Sequence, residues 1–258
     1  MSKIFKAFEN GKAFIAFITA GDPSKEKTVE FVLKMEEAGA DAVELGIPFS
    51  DPIAEGEVIQ NANIRALKNG MTTDGAFEIV TEIRKKSSIP LVFLTYLNPV
   101  FHYGYELFFQ RCKEGGVDGI IIPDLPFEEK EEVDAVAKKY DVDLISLIAP
   151  TSEHRVKMIA QQARGFIYLV SSMGVTGVRN KITTDIKTMV RAAHEATETP
   201  VAVGFGISTP EQCVQVADCA DGVIVGSAIV KLVEQYGEDA GDKIAQYVLQ
   251  MKRAANSK

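Results

Sequence analysis

The chain has 258 residues, of which 46% are hydrophobic and 25% charged, and 36 acidic against 28 basic residues give a net charge of −8. This ordinary globular composition argues against a disordered or fibrous chain, and the acidic balance without basic stripes argues against a nucleic-acid-binding protein. No apolar stretch approaches the roughly 20 residues of a membrane span, and the N-terminal segment lacks the apolar run of a secretory signal, so we expect a soluble, cytoplasmic protein.

Eight short apolar runs follow one another along the chain. Each is rich in Ile, Val, Leu or Phe and is closed by Gly, Pro, Ser or Asp, which is typical of strands buried on both faces. Charged segments with helical spacing lie between the runs, for example at 27–39 and 129–140. The runs span 13–21, 41–49, 90–99, 118–126, 143–150, 165–172, 200–207 and 221–229.

This alternation predicts a parallel α/β fold, either an eight-stranded βα barrel or a doubly wound open sheet. Eight strands close a barrel, and no G-x-G-x-x-G motif follows the first run, so the barrel is favoured. No linker or low-complexity stretch interrupts the pattern, and we expect one barrel domain over residues 1–258. Active sites of such barrels lie at the C-terminal ends of the strands, so the residues after each run are the functional candidates.

Cysteine and histidine are scarce, with three of each. The cysteines form no C-x-x-C pair, and their odd number suits a reducing cytosol better than a disulfide framework. The histidines are widely separated and form no H-E-x-x-H motif, so we expect no zinc site built by the protein.

Glu44 interrupts the otherwise apolar segment A-V-E-L-G. With a period of two, Ala42, Glu44 and Gly46 share one strand face, while Val43 and Leu45 share the other. Because branched apolar residues suit the helix-facing side, Glu44 is predicted to point into the barrel. Burial would raise the pKa of its carboxyl group and make it a proton donor and acceptor near neutral pH. A structural ion pair is the alternative, but no Lys or Arg occurs inside the eight runs, which favours a functional carboxylate.

Segment 47–67 is predicted to be a long loop leading into a helix, and it carries Asp51, Glu55 and Glu57. Long loops at this face of a barrel are often functional. Any single acid in such a loop is still more often solvated than catalytic, so the residue types alone select none of the three.

Three glycine-centred stretches end the last three runs, at 173–177, 204–206 and 226–227. Glycine lets backbone N–H groups approach an anion, and the positive end of a following helix adds to the attraction. Loops after the last strands are a recurrent phosphate site in barrels. Ser227 is predicted to cap the next helix and to bind the phosphate. Tight turns would explain each stretch alone, but three converging stretches favour a phosphorylated ligand.

Aromatic side chains stand at or near the ends of four runs. Each alone is typical of a core residue, but together they can wall an apolar or aromatic pocket above the barrel. They are Phe17, Tyr96, Tyr168 and Phe205.

The motifs together closely resemble the tryptophan synthase alpha chain family. They are E-L-G-I-P-F-S-D-P-I-A-E-G-E-V-I-Q-N-A-N, I-I-I-P-D-L-P, G-V-T-G, G-F-G-I-S and G-V-I-V-G-S-A-I-V. The similarity runs in order from about Phe14 to Lys231, and E-L-G-I-P-F-S-D-P is highly specific to the family. The resemblance implies a (β/α)8 TIM barrel that cleaves indole-3-glycerol phosphate to indole and D-glyceraldehyde 3-phosphate.

The resemblance also implies roles for single residues. Glu44 matches the catalytic glutamate, which moves protons at indole C3 and at the glycerol hydroxyl. Glu55 stands where the family pattern A-D-G has a second catalytic acid, an aspartate that stabilises the cation at the ring nitrogen. The extra methylene moves the carboxylate, and a displacement of about 1 Å can lower a rate about a hundredfold. Gly177, Gly206, Gly226 and Ser227 match the phosphate cradle, and Tyr168, Thr176 and Phe205 match substrate-pocket and loop positions.

Cleavage of the C3–C3′ bond requires a proton on indole C3, removal of the adjacent hydroxyl proton and stabilisation of positive charge at nitrogen. Two carboxylates and a phosphate anchor suffice, so neither metal nor organic cofactor is expected in this chain. The resemblance implies a pyridoxal-phosphate-dependent beta chain that receives indole through a tunnel, in an alpha-beta-beta-alpha heterotetramer. Loops 49–60 and 174–185 are the expected lids, whose closure would exclude water and report occupancy to the partner.

A hypothesis from a different class is a largely regulatory subunit, in which Glu55 weakens catalysis and the chain mainly binds and activates its partner. A stand-alone lyase or another phosphate-binding barrel enzyme is the remaining alternative. If Glu55 is a weakened catalytic acid, replacing it by aspartate should raise the rate, whereas a loop adapted to glutamate would give an unchanged or lower rate.

Overall fold

A computed structural model describes residues 3–171, 179–204 and 206–257, without the side chains of residues 179–185. Its strand segments are parallel and form one sheet in the order β5-β4-β3-β2-β1-β9-β8-β7-β6. The strands are β1 (Ala13–Thr19), β2 (Ala42–Gly46), β3 (Leu91–Leu94), β4 (Gly119–Ile121), β5 (Asp143–Leu144), β6 (Ser146–Ile148), β7 (Ile167–Val170), β8 (Val201–Gly204) and β9 (Gly222–Val225).

The sheet closes because its two ends belong to one stretch of chain. Segment β5 pairs with β4, β6 pairs with β7, and only Ile145 lies between β5 and β6. The Ile145 N–H donates to the Ile120 carbonyl at 2.9 Å, which keeps this link against β4. The nine segments are thus the eight predicted strands with the fifth interrupted once. The chain folds as a (β/α)8 barrel, and the doubly wound open sheet is wrong.

Helices follow the strands on the outside of the barrel. They are α1 (Lys25–Glu37), α2 (Glu57–Lys68), α3 (Thr73–Arg84), α4 (Leu97–Tyr103), α5 (Tyr105–Gly115), α6 (Glu131–Lys139), α7 (Glu153–Ala160), α8 (Arg179–His194), α9 (Pro210–Ala217), α10 (Ser227–Tyr236) and α11 (Gly241–Ala255). Short 3₁₀ helices cover Lys3–Phe8, Phe127–Glu129 and Gly237–Asp239. Within the described ranges, no helix has the length and apolar character needed to cross a bilayer.

Local sequence explains several helix starts. The Ser24 side chain accepts the Lys27 N–H at the start of α1, and Thr72 does the same for Gly75 at the start of α3. At α9, Thr209 and Gln212 form a reciprocal capping box, and Pro210 occupies the first turn. Such caps satisfy N–H groups that have no partner inside the helix.

The period of two along the strands separates two apolar layers. In β1, Ala13 and Ile15 belong to the cluster inside the barrel, whereas Phe14 and Ala16 belong to the larger cluster between strands and helices. Ile4 of the first 3₁₀ helix is fully buried in the inner cluster. At the mouth of the barrel, α2 and α10 pack against each other and against β1, and they border the candidate site.

Candidate active site

Glu44 lies in the middle of β2, in register with Phe17 of β1 and Val92 of β3. Its neighbour Ala42 belongs to the cluster inside the barrel, whereas Val43 belongs to the outer layer. The Glu44 side chain therefore points into the barrel, which confirms the prediction from strand alternation. The residue is 1% exposed.

The Glu44 carboxyl group is buried in surroundings that disfavour its charged form. Its Oε1 atom has no hydrogen-bond partner among the described residues. Burial raises the pKa of this carboxyl group from 4.5 to about 8, because the charged form loses its hydration. Near neutral pH the group therefore carries a proton that it can donate, and it can take one back.

Tyr168 of β7 shares the interior of the barrel with Glu44. Burial raises the pKa of its hydroxyl well above 10, and the negative charge of Glu44 adds to the effect. The neutral phenol is therefore a hydrogen-bonding group close to the Glu44 carboxyl. A Cβ atom on Gly204 would lie 2.8 Å from Cζ of Tyr168. The neighbouring strand β8 thus leaves space for the tyrosine ring by ending in glycine.

Phe17 occupies the barrel mouth next to β2 and β9. A Cβ atom on Gly46 would lie 2.7 Å from Cζ of Phe17, and one on Gly226 would lie 3.3 Å from its Cβ. Phe17 is 6% exposed and packs with Ile59 and other apolar residues of α2 and α10. Its predicted position at the upper end of the barrel interior agrees with these contacts.

Glu55 directly precedes Gly56, the N-cap of α2, and is partly buried. Its Oε2 atom accepts a hydrogen bond from Nδ2 of Asn63 at 2.7 Å, and its backbone carbonyl accepts one from Nε2 of Gln60 at 2.7 Å. Burial raises the pKa of the Glu55 carboxyl, while hydrogen bonds from Asn63 and Tyr96 oppose the shift. Two residues of α2 therefore hold Glu55 in place.

Tyr96 connects the end of β3 to the loop that carries Glu55. Its hydroxyl accepts the backbone N–H of Ala54 at 3.0 Å, and its ring lies 5.5 Å from the Phe49 ring. The residue is 2% exposed, and burial raises the pKa of its hydroxyl to about 12. Tyr96 thus supports the Glu55 loop from below.

The predicted phosphate site lies where β9 meets α10. Helix α10 has Gly226 as its N-cap, and the Gly226 carbonyl accepts the N–H groups of Ile229 and Val230 at 2.9 and 3.1 Å. The prediction that Ser227 caps this helix is therefore wrong, because β9 ends at Val225 and glycine occupies the cap position. Ser227 is instead the first helical residue, exposed at the positive end of α10.

Other predicted anion- and substrate-binding residues are only partly described. Gly206 is exposed and has a φ of +79°, a backbone conformation that favours glycine. Gly177, Thr176 and Phe205 lie outside the described residues, as do residues 174–178 of the expected lid at 174–185 and the side chains of its remaining residues.

Three polar residues of this region were missed by the sequence reasoning. Asn63 is 4% exposed and holds Glu55. Asp124 accepts the Leu97 N–H at 2.8 Å and so fixes the start of α4. Thr19 ends β1 fully buried, and its hydroxyl has no hydrogen-bond partner among the described residues. Strand alternation, already used for Glu44, also predicts an inward Thr19.

Within the described part of the chain, no group of three or more His, Cys, Asp or Glu side chains is arranged to hold a metal ion. Among the described residues, the candidate site contains the carboxyl groups of Glu44 and Glu55, the phenol of Tyr168 and the N-terminus of α10.

Comparison with known proteins adds independent information. The sequence model of the family described as tryptophan synthase alpha chain matches residues 5–257. The tryptophan synthase alpha chain of Lacticaseibacillus casei is 49% identical over 258 residues, covering 100% of this chain and 97% of that protein. The one from Lactiplantibacillus plantarum is 50% identical over 259 residues, covering 100% and 98%.

Solved structures of tryptophan synthase alpha chains are similar to this chain in fold. The crystal structure of the tryptophan synthase alpha chain from Legionella pneumophila has a TM-score of 0.88 at 38% identity, covering 99% of this chain and 97% of that one. A chain from the tryptophan synthase a2b2 complex of Pyrococcus furiosus has a TM-score of 0.85 at 39% identity, covering 94% and 99%.

Proposed function

The chain belongs to the tryptophan synthase alpha chain family, and we propose that it cleaves indole-3-glycerol phosphate to indole and D-glyceraldehyde 3-phosphate. The observation that carries this proposal is the Glu44 carboxyl group, which is buried inside the barrel with an oxygen that no described residue engages. A carboxyl group in this state can both donate and accept a proton at neutral pH.

We propose that Glu44 begins the reaction as a neutral acid. It donates its proton to indole C3, which leaves the positive charge on the ring nitrogen. The resulting carboxylate then takes the proton of the C3′ hydroxyl. As the C3′ carbonyl forms, the C3–C3′ bond breaks and its electron pair returns to the indole ring. Glu44 ends the cycle protonated, so no proton is gained or lost by the enzyme.

Glu55 is proposed to stabilise the positive charge at the ring nitrogen. Its carboxylate is partly buried, and the 2.7 Å hydrogen bond from Asn63 restricts its position. A fixed negative charge facing a developing cation lowers the barrier without reorganisation of water. The hydrogen bond between the Glu55 carboxylate and Asn63 on α2 supports a loop adapted to glutamate.

The phosphate group is proposed to bind at the N-terminus of α10. Gly226 and Ser227 offer backbone N–H groups and a hydroxyl at the positive end of the helix, with Gly206 and Gly177 completing the cradle. With a net charge of −8, the chain is expected to hold the anion mainly through such groups. Anchoring the phosphate away from the scissile bond orients that bond for reaction.

The indole ring is proposed to lie between the aromatic side chains of the barrel mouth. Phe17 and Tyr168 line the interior, and Tyr96 supports the loop above it. Thr176 and Phe205 are assigned to the same pocket by family resemblance. Loops 49–60 and 174–185 are proposed to close over the bound substrate.

The proposed partner is a tryptophan synthase beta chain, in an alpha-beta-beta-alpha heterotetramer. A structural relative comes from an a2b2 complex. Ile53 and Phe101, which are 78% and 65% exposed, follow the adjacent strands β2 and β3 and provide apolar surface at one rim of the barrel. Pyridoxal phosphate is expected in the beta chain, which would use the indole to make tryptophan, and the proposed alpha reaction requires no cofactor.

We further propose that the chain is one barrel domain that acts in the cytoplasm. All strands of the described ranges join one sheet. Cys112, Cys213 and Cys219 are free thiols, which suits a reducing compartment.

Indole release from indole-3-glycerol phosphate, measured with the purified chain alone and with a beta chain, tests the proposal. We expect release in both conditions, and a loss of about a hundredfold or more in Glu44→Gln. If the unmodified chain released no indole in either condition but activated the beta chain, the regulatory hypothesis would replace the lyase. Release that Glu44→Gln leaves unchanged would overturn the proposed mechanism.

A further inference from the structure

Helices α2 and α10 carry the two ends of the proposed substrate site. Asn63 of α2 holds the Glu55 carboxylate, and α10 begins at Ser227. The two helices pack together above Phe17, through Ala62 on one side and Val230 on the other. The packing of α2 against α10 therefore sets the distance between the Glu55 carboxylate and the N-terminus of α10.

Arg65, in the last turn of α2, binds two carboxylates at once. Its Nε and Nη2 atoms donate to the two carboxylate oxygens of Asp22 at 2.9 and 2.8 Å. Its Nη1 atom donates to Oε1 of Glu234 in α10 at 3.2 Å. Asp22 is 1% exposed, so the bidentate pair is buried on its acidic side and fixes the plane of the guanidinium group.

The contact with Glu234 is not needed to attach α2 to the barrel. Asp22 already binds Arg65 from the loop after β1, and Nδ2 of Asn69 donates to the Pro23 carbonyl of the same loop at 2.8 Å. Glu234 adds only a connection to α10, one helical turn beyond Val230. Its side chain is 41% exposed, so this contact can be removed without leaving a buried charge.

We propose that Arg65 is a positioning residue that holds α2 on α10 and so fixes the distance between the Glu55 carboxylate and the phosphate site. This inference rests on the proposed function, which places the two ends of one substrate at these two helices. It predicts that loosening the helix pair weakens ligands that span both ends. The affinity of a short phosphate ester, which contacts only the α10 end, should not change.

The test compares two ligands in a Glu234→Ala variant. Indole-3-propanol phosphate spans both ends and has no hydroxyl groups to permit cleavage, whereas glycerol 3-phosphate reaches only the phosphate site. We expect calorimetry to show a two- to fivefold rise, roughly, in the Kd of the spanning ligand, the scale of a partly exposed ion pair. The Kd of glycerol 3-phosphate should stay unchanged. Arg65→Lys, which keeps a positive charge beside Asp22 but cannot bridge both acids, should reproduce this discrimination.

Glu78→Ala is the matched control, because Glu78 also lies in a helix and forms an exposed ion pair, with Lys25 at 2.6 Å. It should change neither Kd. Equal weakening of both ligands by Glu234→Ala, or no weakening of the spanning ligand, would overturn the positioning role. Indole release by the unmodified chain is measured in parallel. Its absence would contradict the proposed function itself, whereas normal release without ligand discrimination would contradict only the role of Arg65.

Discussion

Tyr168 occupies the space that a side chain at Gly204 would need. The two residues lie on adjacent strands inside the barrel, and an added Cβ at Gly204 would also come within 3.0 Å of Cβ of Ile224. This glycine therefore allows the phenol to reach the region of Glu44, whose charge contributes to the raised pKa of the hydroxyl. The proposed site therefore depends on glycine at position 204 as well as on the carboxyl groups.

Gly204→Ala should therefore displace Tyr168 and lower both stability and activity. Overpacking of this kind typically lowers the free energy of unfolding by about 1–3 kcal/mol, which urea unfolding would detect, and KM for indole-3-glycerol phosphate should rise. Gly115→Ala is the control, since a Cβ there would lie at an ordinary 3.8 Å from Cγ1 of Val80. A Gly204→Ala protein as stable and active as the control would show that the barrel relaxes around the methyl group.

Glu44→Gln should change how stability depends on pH. The pKa of Glu44 rises from 4.5 to about 8 on folding, so between these values the folded chain binds one more proton than the unfolded chain. This group therefore reduces the free energy of unfolding as pH rises through that window, by up to about 1.4 kcal/mol per pH unit. Glutamine cannot titrate. In urea unfolding from pH 5 to 9, the free energy of unfolding of the variant should rise relative to that of the unmodified chain up to about pH 8. If the two proteins showed the same dependence of this free energy on pH, the result would contradict a buried acid at position 44.

Glu55→Asp should lower the rate of indole release, by about tenfold or more, because the shorter side chain loses Asn63 or draws the loop out of place. Asn63→Ala should lower the rate in the unmodified chain and have little further effect in Glu55→Asp, if the hydrogen bond carries the effect. Steady-state kinetics of the two single variants and the double variant measure this. A faster Glu55→Asp enzyme would instead identify Glu55 as a weakened catalytic acid.

Ser227→Asp should affect stability and substrate binding in opposite directions. A carboxylate in the first turn of α10 interacts favourably with the helix dipole, by about 0.3–1 kcal/mol. The same charge would repel the phosphate group, so KM should rise at least about tenfold. Thermal unfolding and indole-release kinetics measure the two effects, with Ser227→Ala as the uncharged control. An unchanged KM in Ser227→Asp would contradict binding of the phosphate group at the N-terminus of α10.

The sequence predicted the barrel and the direction of Glu44 because both follow from local patterns. Strands buried on two faces appear as continuous apolar runs, and the period of two assigns each residue to a face. The interruption at Ile145 was not predictable, since it depends on β5 and β6 pairing with different neighbours.

Side-chain partners were harder to predict than strands. The G-S motif suggested Ser227 as the N-cap of α10, but β9 ends at Val225 and Gly226 is the N-cap. Arg65 and Asp22 are 43 residues apart, and only the packing of α2 against the loop after β1 brings them together. Glu55 was identified by resemblance, whereas its contact with Asn63 required the structure.

The pH dependence of kcat/KM for indole release tests the central claim most directly, because Glu44 is proposed to start the reaction protonated. With the pKa of Glu44 at about 8, kcat/KM should be level near neutral pH and fall about tenfold per pH unit above pH 8. Glu44→Gln should show only a low, pH-independent rate. A profile of the unmodified chain that stays level or rises from pH 7 to about 9.5 would contradict a buried Glu44 that donates the first proton.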